Sequence, residues 1–228
     1  MNNLSVTDYA SAHLNRIKNK LTLKPIPLNA EYRNNYIALN YKSKKVSFYV
    51  SDKKDLNDIK YFLAETFEKE QYGRLNVKNR IVIDVGAAFG DSGIYFALNG
   101  AKHVYAYEVS KQAARIAKLN VRKNNLQKRI TIINKPCPPL NSINEKIKER
   151  MVIKLDCEGC EYPLIGNASS KTFDNIEEII MEYHQGYRNI VKKLRENNFN
   201  CDYDSPTYNN NRKINKKIFF GYLYASKK

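Results

Sequence analysis

The sequence predicts an α/β protein built on a doubly wound parallel sheet, and three observations carry this prediction. From residue 80 onwards, apolar strand-like runs alternate with amphipathic helical segments. A glycine-containing turn joins the first of these strands to the helix that follows it. The last two β-like segments have no helix between them, which indicates an antiparallel pair at the end of the sheet.

The 228 residues are enough for one such domain with an appendage. We place the sheet domain at residues 77–228 and a small α+β N-terminal extension at residues 1–76. The elements predicted in the extension are a basic amphipathic helix at residues 1–20, a β-hairpin at residues 36–41 and 46–50, and a helix that begins at Ser51 and Asp52 and is stopped after Tyr72 by Gly73.

Each element of the sheet domain follows from its hydrophobic pattern. Short apolar runs predict buried strands, and apolar side chains at helical spacing predict helices. Ser110 is placed to cap the second of these helices. We expect the last two strands to close the sheet as an antiparallel edge hairpin. The strands are predicted at residues 81–85, 103–107, 130–133, 151–155, 176–181, 199–203 and 218–225, and the helices at residues 91–99, 110–124 and 187–197.

The chain is strongly basic, with 39 Lys and Arg against 23 Asp and Glu and a net charge of +16. Such a charge is typical of nucleic-acid binding, but 28 of the 39 are Lys, whereas Arg is favoured where phosphate is bound bidentately. No apolar run approaches the roughly 18 residues of a membrane span, and the four scattered cysteines do not suggest a secreted disulfide scaffold. We therefore expect a cytoplasmic protein without a membrane span.

Three glycines, Gly86, Gly90 and Gly93, lie between the first strand and its helix in the segment IVIDVGAAFGDSGIYFA. Glycine there permits a left-handed backbone and lets N–H groups at the helix start approach a ligand. The spacing G-x-x-x-G differs from the G-x-G-x-x-G of dinucleotide-binding proteins, which disfavours an NAD-dependent dehydrogenase. Asp84 at the strand end suits a cation, such as the sulfonium and amino group of S-adenosylmethionine.

A second carboxylate, Glu108, ends the next strand about twenty residues after the glycines, where doubly wound folds hold the two ribose hydroxyls. Asn134 ends the third strand, and its position predicts a place near the adenine. The other residues predicted to bind the cofactor flank these positions and are Val85, Ala87, Asp91 and Val109.

Three further carboxylates, Asp156, Glu158 and Glu161, follow a buried strand within the segment MVIKLDCEGCEYPLI. Asp156 falls at the carboxyl end of that strand, where open α/β sheets bind their ligands. Gly159 supplies a tight turn before the next short helix. Asp156 therefore belongs to both the predicted cofactor site and the predicted catalytic site.

The spacing of Cys157 and Cys160 is that of half a zinc site or of a redox pair. Zinc would need a second pair at ligand spacing, which Cys137 and Cys201 do not form. The acidic neighbours raise the pKa of the thiols and argue against a redox pair. Two small buried cysteines are the preferred interpretation, and no metal site is assigned.

Taken together, these segments resemble the FkbM-type S-adenosylmethionine-dependent methyltransferases. The resemblance covers about residues 80–184 and is carried by DVGAAFG, YAYE and KLDCEGCE. It implies a Rossmann-like class I methyltransferase sheet of seven strands with a final antiparallel strand, and it maps Asp84, Gly86, Gly90 and Glu108 onto cofactor-binding positions. The sequence departs from the family at Ala88, where the family often has Asn, and residues 135–150 are compact.

Four residues are proposed as a polar cluster on the acceptor side: Asp156, Glu158, Glu182 and His184. Glu182 and His184 are two residues apart at a strand end and so share one face. An acceptor hydroxyl must lose its proton during methyl transfer, and His184 or Glu182 is the candidate base. The same cluster could instead hold Mg²⁺ through oxygen ligands.

The first functional hypothesis is O-methylation of a small-molecule or glycan hydroxyl. The second is an RNA methyltransferase that holds its substrate with residues 1–76 and the basic tail, and the third is a cofactor-binding interaction protein that no longer catalyses. Residues 111–135 contain eight basic and no acidic residues, which bears on the second hypothesis. Within that stretch one helix face carries Lys111, Arg115, Lys118 and Arg122.

Overall fold

The structure is a computed structural model that describes residues 28–211 and 216–227. The helix predicted at residues 1–20 and the centre of the basic tail loop lie outside the described residues. Within the described part, no helix is long and apolar enough to cross a membrane.

The extension contains an antiparallel sheet of three strands, β1 (Ala30–Arg33), β2 (Tyr36–Tyr41) and β3 (Lys44–Tyr49). The predicted hairpin is confirmed as β2 and β3, and its alternation buries one face of the sheet. Strand β1 was not predicted, because its four residues AEYR carry no apolar run.

The helix predicted up to Tyr72 is shorter at both ends, so that prediction was wrong in its bounds. A 3₁₀ turn (Lys53–Asp55) precedes α1 (Leu56–Leu63), and a π-helical turn (Ala64–Glu68) ends it. Glu70 takes a left-handed φ of 46° and so breaks the helix before Gly73.

Eight strands of the described residues form the main sheet: β4 (Ile81–Val85), β5 (His103–Tyr107), β6 (Ile130–Ile133), β7 (Met151–Leu155), β8 (Ile176–Tyr183), β9 (Phe199–Tyr203), β10 (Thr207–Asn211) and β11 (Lys216–Lys227). Their order is β10-β11-β8-β7-β4-β5-β6, with β9 paired to β11. Strands β4 to β8 are parallel, and β11 runs antiparallel to both β8 and β9.

The chain leaves β4 towards β5 and β6, then returns to the other side of β4 with β7 and β8. The order therefore reverses between β4 and β7, and the crevice beyond their carboxyl ends is where such sheets bind ligands. The final antiparallel strand is confirmed as β11. The predicted antiparallel edge pair is confirmed as β9 and β11, with β11 on the inner side between β8 and β9, where its Leu223 and Ala225 are fully buried.

Helices cover both faces of the sheet: α2 (Asp91–Leu98), α3 (Lys111–Lys123), α4 (Leu140–Lys146), α5 (Glu161–Gly166) and α6 (Arg188–Glu196). Ser110 caps α3 as predicted, its Oγ accepting a hydrogen bond of 3.3 Å from the N–H of Ala113. Helix α4 was not predicted, because its seven residues are too few to show a helical period.

The extension packs on the face of the sheet covered by α2 and α3, and the two share one apolar cluster. Asn120 of α3 is fully buried at this contact. Its Oδ1 accepts a hydrogen bond from the N–H of Tyr49 (2.7 Å), and its Nδ2 donates to the carbonyl of Phe89 (2.8 Å). The extension is thereby fixed against the turn that begins α2, and its boundary at residue 76 stays a prediction.

Candidate cofactor and active site

The turn between β4 and α2 requires glycine at two positions. Gly86 has a φ of +80°, and a Cβ built on it would lie 1.9 Å from the carbonyl oxygen of Asp156. Gly90 has a φ of +86°, and a Cβ built on it would lie 3.2 Å from the Cβ of Ala117. The turn after β4 therefore touches the turn after β7 backbone to backbone, which no larger residue at position 86 would allow.

Glu108 holds the same turn from the side of β5. Its carboxylate accepts hydrogen bonds from the N–H groups of Ala88 (2.8 Å) and Ser110 (2.7 Å). Ala88 has a left-handed φ of 45°, a conformation that Asn adopts more readily than Ala. The Asn common at this position in the FkbM family thus matches a backbone that is strained with Ala.

Asp84 is fully buried and bonded within the protein. The Oγ of Ser92 donates to Asp84 Oδ2 at 2.7 Å, and Lys154 Nζ lies 3.2 Å from Asp84 Oδ1. Lys154 Nζ also donates to the carbonyl oxygen of Gly86 at 2.8 Å. Asp84 therefore supports the glycine turn from beneath, and its predicted contact with the cofactor stays a prediction.

Sequence reasoning missed Lys154, although it is the single charged residue in the otherwise apolar strand β7. Burial alone would lower the pKa of Lys154, but the carboxylates of Asp84, Asp156 and Asp91 outweigh burial and raise it. The side chain is therefore a permanent buried cation beside the glycine turn.

A cavity of about 320 Å³ opens at the carboxyl ends of β4, β5 and β7. Five of the predicted cofactor residues line it, namely Val85, Gly86, Glu108, Val109 and Asp156. Asn134 instead supports its rim, because its Nδ2 donates to the carbonyls of Glu108 (2.9 Å) and Val109 (3.1 Å). Ala87 is fully buried behind the turn.

A second, smaller cavity shares Gly86 and Asp156 with the first and lies under the extension. Asp91 lines it at the start of α2, and the hydroxyl of Thr66 from the extension donates to Asp91 Oδ2 at 2.7 Å. Aromatic and acidic side chains are prominent among the other residues that line it, which are Phe62, Glu65, Gln71, Tyr72, Ala88, Phe89, Ser92, Lys154, Glu182 and Tyr222.

The structure brings the four predicted acceptor-side residues together. Ligand atoms of Asp156, Glu158 and His184 lie within 4.8 Å of one another, and this trio could hold a cation. His184 lies between two carboxylates, with Nδ1 3.3 Å from Glu161 Oε1 and Nε2 3.5 Å from Glu182 Oε1. Glu182 lines the smaller cavity, whereas His184 lies behind Glu182 and lines neither cavity.

Glu161 connects this cluster to the turn after β7. Its carboxylate accepts hydrogen bonds from the N–H groups of Cys157 (2.9 Å) and Gly159 (2.6 Å). Burial opposes its ionisation, but His184 and these backbone donors outweigh burial and lower the pKa of Glu161. Glu161 is therefore an ionised anchor for both His184 and the turn.

Cys157 and Cys160 form a disulfide, which corrects the prediction of two small buried thiols. Glu158 and Gly159 between them have φ values of +63° and +116°, and this tight turn brings the two Cα atoms to 5.5 Å. That separation suits a disulfide. The spacing of the two cysteines in the sequence does not reveal how close their Cα atoms lie. Cys137 and Cys201 are free thiols.

Replacing Gly86 by Ala tests the backbone contact between the two turns. The added Cβ would meet the Asp156 carbonyl in a left-handed conformation, so we expect the free energy of unfolding to fall by about 2 kcal/mol or more. Urea denaturation measures this. In the matched control Gly93→Ala, the Cβ meets nothing closer than 3.6 Å, and stability should hold or rise by up to about 1 kcal/mol. Equal effects of both substitutions would contradict the close contact.

Asp91 predicts a pH dependence of stability, because burial raises its pKa from 3.8 to about 6. Between pH 4 and 6 the folded state holds a proton that the unfolded chain releases, so the free energy of unfolding falls as pH rises through this window. Asp91→Asn keeps an acceptor for Thr66 and removes the titration. We expect the variant to gain about 3 kcal/mol over the parent above pH 6 and little at pH 4. Parallel unfolding curves from pH 4 to 8 would contradict this.

The family model for ribosomal protein L11 methyltransferase (PrmA) matches residues 68–154 of the chain. Uncharacterized protein 65 of Sulfolobus islandicus filamentous virus is 29% identical over 125 residues, which are 55% of this chain and 72% of that protein. Ribosomal protein L11 methyltransferase of Acinetobacter baumannii is 40% identical over 70 residues, 30% of this chain and 23% of that protein.

Among solved structures, M. capricolum TrmK in complex with S-adenosylhomocysteine is similar with a TM-score of 0.51 and 20% identity, over 71% of this chain and 68% of that one. The curated methyltransferase match covers less than a quarter of that enzyme's length. The narrower resemblance to FkbM-type enzymes stays a prediction. The chain has the class I methyltransferase fold, and its residues 68–154 are similar in sequence to a family of S-adenosylmethionine-dependent methyltransferases.

Proposed function

We propose that the protein methylates a hydroxyl oxygen of an acceptor whose reacting hydroxyl group reaches the smaller cavity, which has a volume of about 30 Å³. The observation that carries this proposal is the junction of the two cavities at Gly86 and Asp156. The larger cavity offers the carboxylate of Glu108 to the ribose, and the smaller one offers carboxylates and aromatic side chains to the reacting end of the acceptor.

The residues at the junction fit S-adenosylmethionine. The glycine turn provides a backbone surface that a Cβ would fill, and Glu108 presents a carboxylate at the position suited to two ribose hydroxyls. Asp156 Oδ1 is buried without a hydrogen-bond partner among the described residues, and a cationic donor would satisfy it. When bound, the cofactor supplies a methyl group already activated by its sulfonium.

Glu182 is placed to accept the proton of the acceptor hydroxyl. It is 4% exposed, lines the smaller cavity and receives a hydrogen bond of 3.1 Å from the hydroxyl of Tyr222. Burial, followed by the charge of Glu182, raises the pKa of Tyr222 well above its usual value, so Tyr222 remains a donor. His184 orients Glu182 from behind, held in turn by Glu161.

Glu182→Gln tests this assignment. We expect turnover to fall about a hundredfold, the usual contribution of a positioned base, while cofactor affinity changes less than twofold. Transfer of labelled methyl groups into fractions of a cell extract measures turnover and shows whether the label enters small molecules, glycan, RNA, lipid or protein. Glu177→Gln is the matched control, because Glu177 lies at the other end of β8 and pairs with Arg150.

Unchanged turnover in Glu182→Gln would remove the base assignment. Label on nitrogen instead of oxygen would overturn the hydroxyl acceptor and leave the methyltransferase activity standing.

RNA is a second candidate acceptor, favoured by the exposed face of α3. Lys111, Arg115, Lys118 and Arg122 all lie on that face, and none has an acidic partner within residues 28–211 and 216–227. At a rise of 1.5 Å per residue they follow about 16 Å of helix. The face begins three residues after Glu108, so a polyanion along it would reach the mouth of the larger cavity.

Salt titration of binding to a 20-nucleotide oligouridylate tests the α3 face. Replacing its four basic residues by Gln should reduce the slope of log K against log salt by about 3, because each contact with a single strand contributes about 0.7. The control replaces four exposed lysines on the opposite layer, Lys146, Lys148, Lys171 and Lys192, by Gln. Equal slopes for the two variants, or no binding by the parent at 50 mM salt, would exclude this face as an RNA site.

A further inference from the structure

The disulfide between Cys157 and Cys160 lies in the wall of the larger cavity, and both of its residues line that cavity. It spans the turn that carries Glu158 and directly follows Asp156. The hydrogen bonds of Glu161 fix the N–H groups of Cys157 and Gly159, and the disulfide adds a covalent link between the two ends of the same turn.

The turn that the disulfide closes is coupled to the rest of the site at both ends. On one side, the carbonyl of Asp156 occupies the space where Gly86 lacks a Cβ. On the other side, Glu161 accepts hydrogen bonds from the turn and lies 3.3 Å from His184. A change in the shape of this turn therefore reaches the glycine turn and the acceptor cluster together.

The disulfide also constrains the backbone. It closes a loop of four residues in which Glu158 is held at a φ of +63°, a region that a residue with a Cβ enters at a cost. Without the bond the two sulfur atoms would separate to van der Waals contact, and Glu158 could return to a relaxed conformation. The cavity wall would then have to be ordered again whenever the cofactor binds.

We propose that Cys157 and Cys160 form a reversible dithiol–disulfide site that sets the affinity of the cofactor cavity. This proposal rests on the cofactor site proposed above. A dithiol reductant attacks one sulfur through its thiolate, the S–S bond breaks, and a mixed disulfide forms. The second thiol of the reductant then releases the chain, which gains two electrons and two protons as two thiols, while the reductant leaves as its disulfide.

The affinity of the full chain for S-adenosylhomocysteine, measured by calorimetry before and after reduction with dithiothreitol, tests the proposal. Thiol counting verifies each state, with two thiols in the oxidised chain and all four cysteines free after reduction. We expect about tenfold weaker binding in the reduced state, equivalent to about 1.4 kcal/mol. By reciprocity, a saturating ligand should lower the reduction potential of the pair by about 30 mV.

Two variants separate this pair from other thiols. Cys157→Ser should bind with the reduced-state affinity under both conditions, and Cys160→Ala should do the same. Cys137→Ser is the matched control, because Cys137 also lines the cavity as a free thiol, and this variant should keep the full tenfold response.

Equal affinity of the parent chain in the two verified states would overturn the redox proposal and leave the cofactor site intact. Absence of binding in both states would instead overturn the proposed function, and the redox proposal with it.

Discussion

The arrangement of the site depends on a buried ion pair between Lys154 and Asp84, which lie opposite each other in adjacent strands. Removing two charges from water is unfavourable, and such a pair persists only where further polar contacts satisfy both groups. Here Ser92 donates to Asp84, and Lys154 donates to the carbonyl of Gly86. The pair therefore joins β4, β7 and the start of α2, and it fixes the glycine turn on which both cavities depend.

The charges of the protein are divided between its interior and its surface. The cleft is lined by carboxylates, among them Glu108, Asp156 and Glu182, although the chain carries a net charge of +16. An acidic cleft favours a cofactor that carries a sulfonium and an amino group, whereas the basic surface favours polyanions. The acidic cleft and the basic surface thus act on different molecules. The net charge bears on which acceptor the protein binds more than on the chemistry of methyl transfer.

The sequence predicted the sheet well because its parallel strands are short, mainly apolar segments that alternate with helical segments, and because Gly86 and Gly90 mark a turn that larger residues cannot form. It predicted Glu108 and the acceptor cluster because the carboxyl ends of parallel strands meet at one edge. Lys154 was missed because the sequence does not show which carboxylate would pair with the single charge of an otherwise apolar strand. The disulfide was missed because it depends on left-handed residues inside the turn, and β10 was missed because its residues TYNNN form no apolar run.

A crystal structure of the chain with S-adenosylhomocysteine would show directly whether the cavity at the ends of β4, β5 and β7 is the cofactor site. We expect both ribose hydroxyls within hydrogen-bond distance of the Glu108 carboxylate, and the amino acid portion over the glycine turn beside Asp156. A ligand bound elsewhere, or a ribose in the cavity without contact to Glu108, would contradict this expectation.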